Sequence, residues 1–327
     1  MSQTNGKDNI DTSKLPNVMN MTASTITENV HRINETCPDE RTRFIFKSMV
    51  QHLHDFVRET SLTTEEWMTT INFLTAVGQK CTDLRQEFIL LSDTLGVSTL
   101  VDIINNAKPP GATEATVLGP FFTEDAHDVE SGGSIASEGK GDYMYVYGKV
   151  ADTKGNPIPG ATIDTWETDG HGLYDNQYPN RDGPECRGRI QSQADGTYSY
   201  RAVVPASVRP VAYPIPDDGP VGTMLTQLNR HIYRPAHIHM MIKAKGYEDL
   251  TTALYLKNDK FLGSDAVFGV KSSLAVDLEY VKDVEVSKAR GFPQAKPHHV
   301  LHYDIILATP EEGAKAREKS KATWANS

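Results

Sequence analysis

The spacing of apolar residues changes once along the chain, at residues 108–111, and this change constrains the fold more than any other feature. Before it, apolar residues recur every three or four positions, which is typical of amphipathic helices. One such stripe consists of Phe46, Val50, Leu53 and Val57, and another of Leu84, Phe88, Leu91 and Leu95. Thr63, with Glu66 three residues later, predicts a capping box that begins a further helix. The sequence therefore predicts several packed helices in front of residue 108.

After residue 111 the apolar residues alternate, as they do in strands with one buried face. Short strand-like runs are separated by turn signals, at residues 143–147, 197–204, 236–243, 251–256 and 300–307. Because no helical period lies between them, the pattern predicts an antiparallel β-sandwich rather than a parallel sheet with crossover helices. The predicted fold is therefore mainly β with an α-helical N-terminal part.

The two periods and the polar ends divide the chain into four predicted segments. Residues 1–24 form a mobile N-terminal arm, 25–112 a helical dimerisation domain, 113–310 the β-sandwich domain and 311–327 a charged C-terminal tail. The helical stripes are wider than packing against one sheet requires, which indicates a homodimer interface. The irregular stretch at 205–234 is longer than most connections in a compact domain, and loops of that length are often functional.

The charge balance restricts the kinds of partner that the protein can bind. The net charge is −10, from 33 Lys and Arg against 43 Asp and Glu. A surface for nucleic-acid phosphates needs a cationic field, so this balance argues against a nucleic-acid partner. No apolar run of about 18 residues is present to span a membrane. The N-terminus lacks the apolar core of a secretory signal and the three cysteines show no CxxC spacing, so we expect a cytoplasmic protein.

A pair of histidines gives the first indication of chemistry. Residues 234–239 read Arg-Pro-Ala-His-Ile-His and continue as apolar strand sequence. Residues two apart on a strand share a face, so His237 and His239 point the same way. Two imidazoles placed in this manner can hold a metal ion. The alternative is a pair of structural histidines whose hydrogen bonds are satisfied on a half-buried strand.

The remaining ligands decide which metal the pair would hold. No cysteine lies nearby, which argues against the usual structural zinc sites. Lys243 and Ala244 stand where a cupin would carry a glutamate. Tyr174 and Tyr213 are candidate oxygen donors, and a phenolate at neutral pH needs a strongly Lewis-acidic cation such as Fe(III). Taken singly, each tyrosine could equally be a buried aromatic residue.

Four short motifs together resemble the intradiol ring-cleavage dioxygenases. They are Leu-Gly-Pro-Phe at 118–121, Gly-Leu-Tyr-Asp at 172–175, Tyr-Pro-Ile-Pro at 213–216 and Arg-Pro-Ala-His-Ile-His at 234–239. The resemblance implies a non-haem Fe(III) enzyme with one iron per chain. The implied metal ligands are Tyr174, Tyr213, His237 and His239. It also implies that Arg234 stabilises negative charge on the substrate ring and that Tyr213 leaves the metal and accepts a proton.

Within that family the helical front is similar to the branch that cleaves catechol and hydroxyquinol, and finer features favour hydroxyquinol (benzene-1,2,4-triol). The resemblance implies cleavage with O2 to 3-hydroxy-cis,cis-muconate or its tautomer maleylacetate. The implied substrate contacts are Leu90, Asp93, Val117, Gly119, Pro120, Phe121, Ile215, Pro216 and Val267. Two positions depart from the expected pattern. Ala253 replaces a glutamine that catechol enzymes carry, and Leu118 stands where hydroxyquinol enzymes often have phenylalanine.

Two alternatives stay open at this point. The substrate could be catechol, which would give cis,cis-muconate. More distantly, the strand and turn pattern at 148–160 also fits a transthyretin-like β-sandwich binding module without catalysis. For the enzyme, the resemblance further implies a homodimer whose helical interface encloses a phospholipid.

Overall fold

The computed structural model describes residues 18–83, 85–206 and 213–324, and at positions 213 and 324 it describes the backbone only. Residues 1–17 of the predicted arm and the predicted stripe residue Leu84 lie outside this part of the chain. The chain divides into two compact units, and the division falls between Leu74 and Thr75. The predicted boundaries after residues 24, 112 and 310 stay predictions.

The first unit is helical. Helix α1 spans Ile26–Asn34, α2 spans Glu40–Thr60, and α3 spans Thr64–Lys80 and so continues into the second unit. Asp39 caps α2 by accepting a hydrogen bond from the backbone N–H of Thr42. The predicted capping box at α3 is confirmed. The N–H of Glu66 donates to Oγ1 of Thr63 at 3.2 Å, and the N–H of Thr63 donates to Oε2 of Glu66 at 2.9 Å.

Helix α2 leaves its apolar stripe uncovered. None of its residues is buried. Its large exposed apolar side chains are Phe44, Ile45, Phe46, Met49, Leu53, Phe56 and Val57. Soluble monomers rarely expose a continuous apolar surface of this kind, so the stripe requires a covering surface.

The second unit carries the strands and the remaining helices. Its helices are α4 (Glu87–Thr94), α5 (Val97–Asn105), α6 (Pro220–Gln227), α7 (Val284–Ala289) and α8 (Pro310–Trp324). Its strands are β1 (Tyr143–Asp152), β2 (Thr162–Glu167), β3 (Arg187–Gln191), β4 (Thr197–Val203), β5 (Tyr213–Pro214), β6 (Tyr233–Arg234), β7 (His237–Lys243), β8 (Leu250–Leu256), β9 (Ala275–Val276), β10 (Glu279–Val281), β11 (His298–His302) and β12 (Ile305–Leu307). Most of the predicted charged tail at 311–327 therefore belongs to α8. Among the described residues, no helix is both long and apolar enough to cross a membrane.

Two five-stranded sheets enclose the hydrophobic core. The first has the order β10-β11-β1-β12, with β4 also paired to β1, and the second has the order β3-β2-β7-β8-β9. Fully buried side chains of both sheets belong to one core, among them Val146 and Leu301 from the first and Ile163 and Met240 from the second. Strands β5 and β6 form a separate pair. The predicted β-rich body with a helical N-terminal part is confirmed.

The prediction of a purely antiparallel sandwich was wrong, because both sheets are mixed. Strand β1 pairs in parallel with β11 and with β12, and β8 pairs in parallel with β9. Parallel partners need long connections, so they are distant in the sequence: β1 ends at Asp152 and β11 begins at His298. Alternating apolar residues report which face of a strand is buried, and they carry no information about the neighbouring strand.

Strand β1 changes its parallel partner next to Gly148. Its residues up to Tyr147 pair with β11, and those from Val150 onward pair with β12. Between these two pairings the backbone of Tyr303 passes close to β1. A Cβ on Gly148 would lie 1.8 Å from the Tyr303 carbonyl oxygen. A side chain of any size would therefore push the three strands apart.

We expect Gly148→Ala to lower the free energy of unfolding by about 1–3 kcal/mol, because the added methyl group must displace backbone. Denaturant unfolding followed by circular dichroism measures this. Gly263→Ala is the matched control, since a Cβ there meets nothing within 4 Å. The control should change stability by no more than about 0.5 kcal/mol. Equal stability of the two variants would contradict the close approach.

Candidate metal centre

Strand β7 carries the histidine pair in the middle of the second sheet, between β2 and β8. His237 and His239 are each 2% exposed. Their Nε2 atoms are 3.0 Å apart and the rings stand edge to face, with an interplanar angle of 79°. The two side chains therefore lie on one face, as the spacing predicts, and converge on one point.

Tyr174 reaches the same point from a loop. Asp169 shapes this loop by accepting hydrogen bonds from the backbone N–H groups of His171 and Leu173. The Tyr174 side chain is buried, and its hydroxyl oxygen lies 3.2 Å from Nε2 of His237. Three donor atoms, two imidazole nitrogens and one phenol oxygen, thus lie together away from solvent.

The protonation of the histidines leaves lone pairs available to a cation. Nδ1 of His237 lies 2.7 Å from the backbone oxygen of Pro235, which can only accept, so in the neutral ring Nε2 carries no proton. Burial, reinforced by the charge of Arg234, lowers the pKa of His237 to about 3. Burial and the neighbouring His237 and Arg234 also hold the pKa of His239 well below its usual range. Both rings are therefore neutral near pH 7.

The phenol of Tyr174 indicates what kind of cation fits. Burial raises the pKa of Tyr174, although the charges of Arg234 and Arg187 act in the opposite direction. Only a strongly Lewis-acidic cation would displace that proton at neutral pH. Within the described ranges, no group of three or more His, Cys, Asp or Glu side chains is arranged to hold a metal. Two imidazoles with phenol oxygen and no thiolate fit Fe(III), which favours hard anionic oxygen donors.

Arg234 lies beside the three donors and is 4% exposed. Its Nη1 atom is 3.2 Å from Nε2 of His237, and its Nη2 atom is 3.3 Å from the hydroxyl oxygen of Tyr255. Asp265 holds the guanidinium through an ion pair with 3.0 Å between Nε and Oδ1. Burial alone would lower the pKa of Arg234, but the charge and hydrogen bond of Asp265, together with Tyr255 and Tyr174, outweigh burial and raise the pKa. Arg234 therefore supplies a permanent positive charge.

Strand β5 brings residue 213 next to Arg234. The two-residue strands β5 and β6 pair so that Tyr213 stands opposite Arg234 in the ladder. The side chain of Tyr213 lies outside the described part of the chain. Its roles as a metal ligand and proton acceptor stay predictions.

The predicted substrate contacts lie on four segments of the second unit, one of which is α4. Leu90, Asp93, Val117, Phe121, Ile215 and Val267 are buried, and Gly119, Pro120 and Pro216 are half-buried. Gly119 has φ of +73°, and a Cβ there would lie 3.6 Å from the ring of His239. Phe121 stacks on Tyr174 with 4.6 Å between ring centroids. These contacts bring residues 119–121 directly against His239 and Tyr174.

Arg230 joins two other parts of the predicted pocket. It donates to the backbone oxygen of Thr94 at the end of α4 at 2.7 Å, and to that of Ala266 at 2.9 Å. The helix that carries Asp93 is thereby tied to the segment that carries Val267. Burial raises the pKa of Asp93, while the nearby charge of Arg234 acts against this. The substrate-contact roles of all nine residues stay predictions.

Sequence reasoning missed residues that support the site from other segments of the chain. Asp265 pairs with Arg234 from 31 positions away in the chain. Trp166 stacks on His239 with 4.8 Å between ring centroids and 5° between planes. Ala253, where the glutamine of catechol enzymes was expected, stands opposite His239 on β8, and Nδ1 of His239 has no hydrogen-bond partner among the described residues. The stack on Trp166 therefore supports this ring, and the side chain of Ala253 offers it no hydrogen bond.

Comparison with known proteins extends over both parts of the chain. Residues 117–309 match the family model described as Dioxygenase, and residues 39–113 match the model described as Catechol dioxygenase N terminus. The chain is 48% identical over 307 residues to intradiol ring-cleavage dioxygenase hqdA of Aspergillus niger, covering 94% of this chain and 91% of that protein. It is 49% identical over 248 residues to 6-chlorohydroxyquinol 1,2-dioxygenase of Cupriavidus pinatubonensis, covering 76% of this chain and 88% of that protein.

The fold is also shared with a solved structure. Hydroxyquinol 1,2-dioxygenase from Pseudomonas putida DLL-E4 superposes with a TM-score of 0.78 at 45% identity, covering 88% of this chain and 98% of that one. The alternative of a binding module without catalysis is therefore wrong. With its two family-model matches and these relatives, the chain belongs to the intradiol ring-cleavage dioxygenases.

Proposed function

We propose that this protein cleaves hydroxyquinol with O2 between the two adjacent carbons that carry hydroxyl groups. The product is 3-hydroxy-cis,cis-muconate or its tautomer maleylacetate, and both oxygen atoms of O2 enter it. The observation that carries the proposal is the buried convergence of Tyr174, His237 and His239 beside Arg234. Two similar proteins are named as 6-chlorohydroxyquinol and hydroxyquinol 1,2-dioxygenases, which supports a substrate ring with three hydroxyl groups.

We infer that one Fe(III) ion per chain is held by Tyr174, Tyr213, His237 and His239. Two phenolates and two neutral imidazoles would leave a charge of about +1 on a trivalent ion, which favours an anionic chelating diol. When bound, ferric iron supplies the Lewis acidity that stabilises phenolates and accepts electron density from the substrate. The remaining chemistry falls to the side chains around it.

Arg234 provides fixed positive charge where the substrate ring becomes electron-rich. Its guanidinium is almost fully buried and its direction is set by Asp265. A charge held in this way acts strongly because little water screens it and no reorganisation is needed. Tyr213, on the strand paired opposite Arg234, would accept one of the diol protons on its phenolate oxygen.

Asp93 recognises the third ring hydroxyl in this proposal. It is 3% exposed on α4, so its carboxyl group has little water to bind. A pocket that offers such an acceptor rejects an analogue lacking the hydroxyl, because the carboxyl group then keeps only its hydrogen bond with Ser98 and loses the one to the substrate. We propose that the other walls of the pocket are Leu90, Val117, Gly119, Pro120, Phe121, Ile215, Pro216 and Val267.

Tyr174→Phe removes one proposed ligand and keeps the ring that stacks on Phe121. We expect it to abolish oxygen uptake with hydroxyquinol and to remove most of the visible absorption that tyrosinate ligands produce with ferric iron. Tyr198→Phe is the control, because that buried hydroxyl donates to the backbone oxygen of Tyr303 in the first sheet. A Tyr174→Phe variant that keeps both colour and activity would remove Tyr174 from the site.

Oxygen-uptake kinetics on hydroxyquinol and catechol test the substrate. We expect the wild type to favour hydroxyquinol by at least about tenfold in kcat/KM. Asp93→Ala should lower kcat/KM for hydroxyquinol about 10–100-fold, because a hydrogen bond to a charged group contributes about 1.5–3 kcal/mol. Its kcat/KM for catechol should change by less than about threefold.

Asp102→Ala is the matched control for that experiment. Asp102 is a second buried aspartate, on α5, where it pairs with Lys271 at 3.3 Å. Its loss should affect both substrates equally. A wild-type preference for catechol of about tenfold or more would contradict the proposal and favour the alternative, cleavage of catechol to cis,cis-muconate.

We further propose that two chains form a homodimer through the apolar stripe of α2, with a phospholipid enclosed by the interface. Phe46, Leu53 and Phe56 support this, since their side chains are 46%, 54% and 51% exposed. Burying them against a second copy removes a large apolar surface from water. The cytoplasmic location stays a prediction, and the three free cysteines are compatible with it.

Sedimentation velocity at micromolar concentration tests the dimer. We expect the wild type to sediment at twice the chain mass of 36.1 kDa. Leu53→Glu should sediment as a single chain, because the dimer would bury its carboxylate without a partner. Ser48→Glu, on the opposite side of α2, should remain dimeric. A wild-type species of 36.1 kDa would contradict the proposed interface.

A further inference from the structure

Arg187 forms a buried junction behind the metal donors. It lies on β3 and is 3% exposed. Its Nε atom donates to Oδ2 of Asp175 at 2.8 Å, and its Nη2 atom donates both to Oδ1 of Asp175 and to the backbone oxygen of Phe121, the latter at 3.1 Å. Asp175 also accepts from Nη2 of Arg181 at 2.9 Å. One planar guanidinium therefore connects two separate loops.

Both partners of Arg187 adjoin the ring of Tyr174. Asp175 is the next residue in the chain and is 1% exposed. Phe121 lies against the other side, where its ring stacks on Tyr174 at 4.6 Å with 24° between the planes. Displacing the Tyr174 ring would therefore disturb either the backbone held through Asp175 or the stack held through Phe121.

We propose that Arg187 is a positioning residue that fixes Tyr174 as the phenol donor retained at the metal throughout the reaction. The proposal rests on the function proposed above, because it assigns a role at the same centre. Residue 213, in contrast, belongs to a strand of two residues, paired only along β6 in the described chain. This contrast agrees with the family resemblance, which implies that Tyr213 leaves the metal and Tyr174 stays.

The shape of the arginine side chain matters for this role. Its fork donates to a carboxylate and a carbonyl at fixed angles, whereas a lysine ammonium acts as a point charge. Asp175 keeps Arg181 when Arg187 is replaced, so its carboxylate retains one cationic partner. Replacement of a residue that orients a metal ligand typically costs about 10–100-fold in metal affinity.

The test compares Arg187→Gln with Arg189→Gln. Arg189 stands two positions along the same strand, and its side chain pairs with Asp164 at 2.8 Å and with Asp128 at 3.7 Å. Iron affinity is measured by competition with a chelator, and the visible absorption band of the iron-loaded protein is recorded. We expect Arg187→Gln to bind iron about 10–100-fold more weakly and to shift the band. Arg189→Gln should match the wild type within about twofold.

Two further variants keep the test decisive. Arg187→Lys retains the charge without the fork, so full recovery of affinity and band position would overturn the proposal. If Arg187→Gln does not fold, Phe121→Leu removes the stack while leaving the carbonyl bonded, and an unshifted band there would overturn it as well. Equal behaviour of Arg187→Gln and Arg189→Gln would also overturn it. A wild type that binds no iron would instead contradict the proposed function.

Discussion

One lone pair, on Nε2 of His237, lies at the centre of the site. Nε2 of His239 is 3.0 Å from it, and the hydroxyl of Tyr174 and Nη1 of Arg234 are each 3.2 Å away. Since Nδ1 of His237 already donates to Pro235, these three neighbours from the described part of the chain compete for one acceptor. A cation that accepts electron pairs from both imidazoles and the phenol oxygen resolves the competition. Neighbouring side chains hold these atoms together through two buried ion pairs and two ring stacks.

Two buried ion pairs fix side chains around Nε2 of His237. Asp265 sets the direction of Arg234, and Asp175 receives Arg187 behind the Tyr174 ring. Removing one partner of such a pair leaves an uncompensated buried charge, so each pair behaves as a fixed part of the frame. The net charge of −10 has little bearing on the chemistry. In the proposed function, a small anionic diol is attracted by the ferric ion and by the buried guanidinium of Arg234.

The sequence was sufficient for the features that have a local pattern. Strand alternation placed His237 and His239 on one face, and the capping box at Thr63 is formed as predicted. The parallel pairing of β1 with β11 and β12 was not predictable, because strand periodicity does not identify neighbours. Asp265 and Trp166 were missed for a similar reason. Their partners lie on other segments, and a lone aspartate or tryptophan carries no spacing that would connect it to them.

Anomalous diffraction from crystals of the iron-loaded protein tests the central claim most directly. Data collected on both sides of the iron absorption edge should give one strong peak per chain, bounded by Nε2 of His237, Nε2 of His239 and the phenol oxygen of Tyr174. A peak elsewhere in the molecule, or a fully loaded protein with no peak at these atoms, would contradict the account.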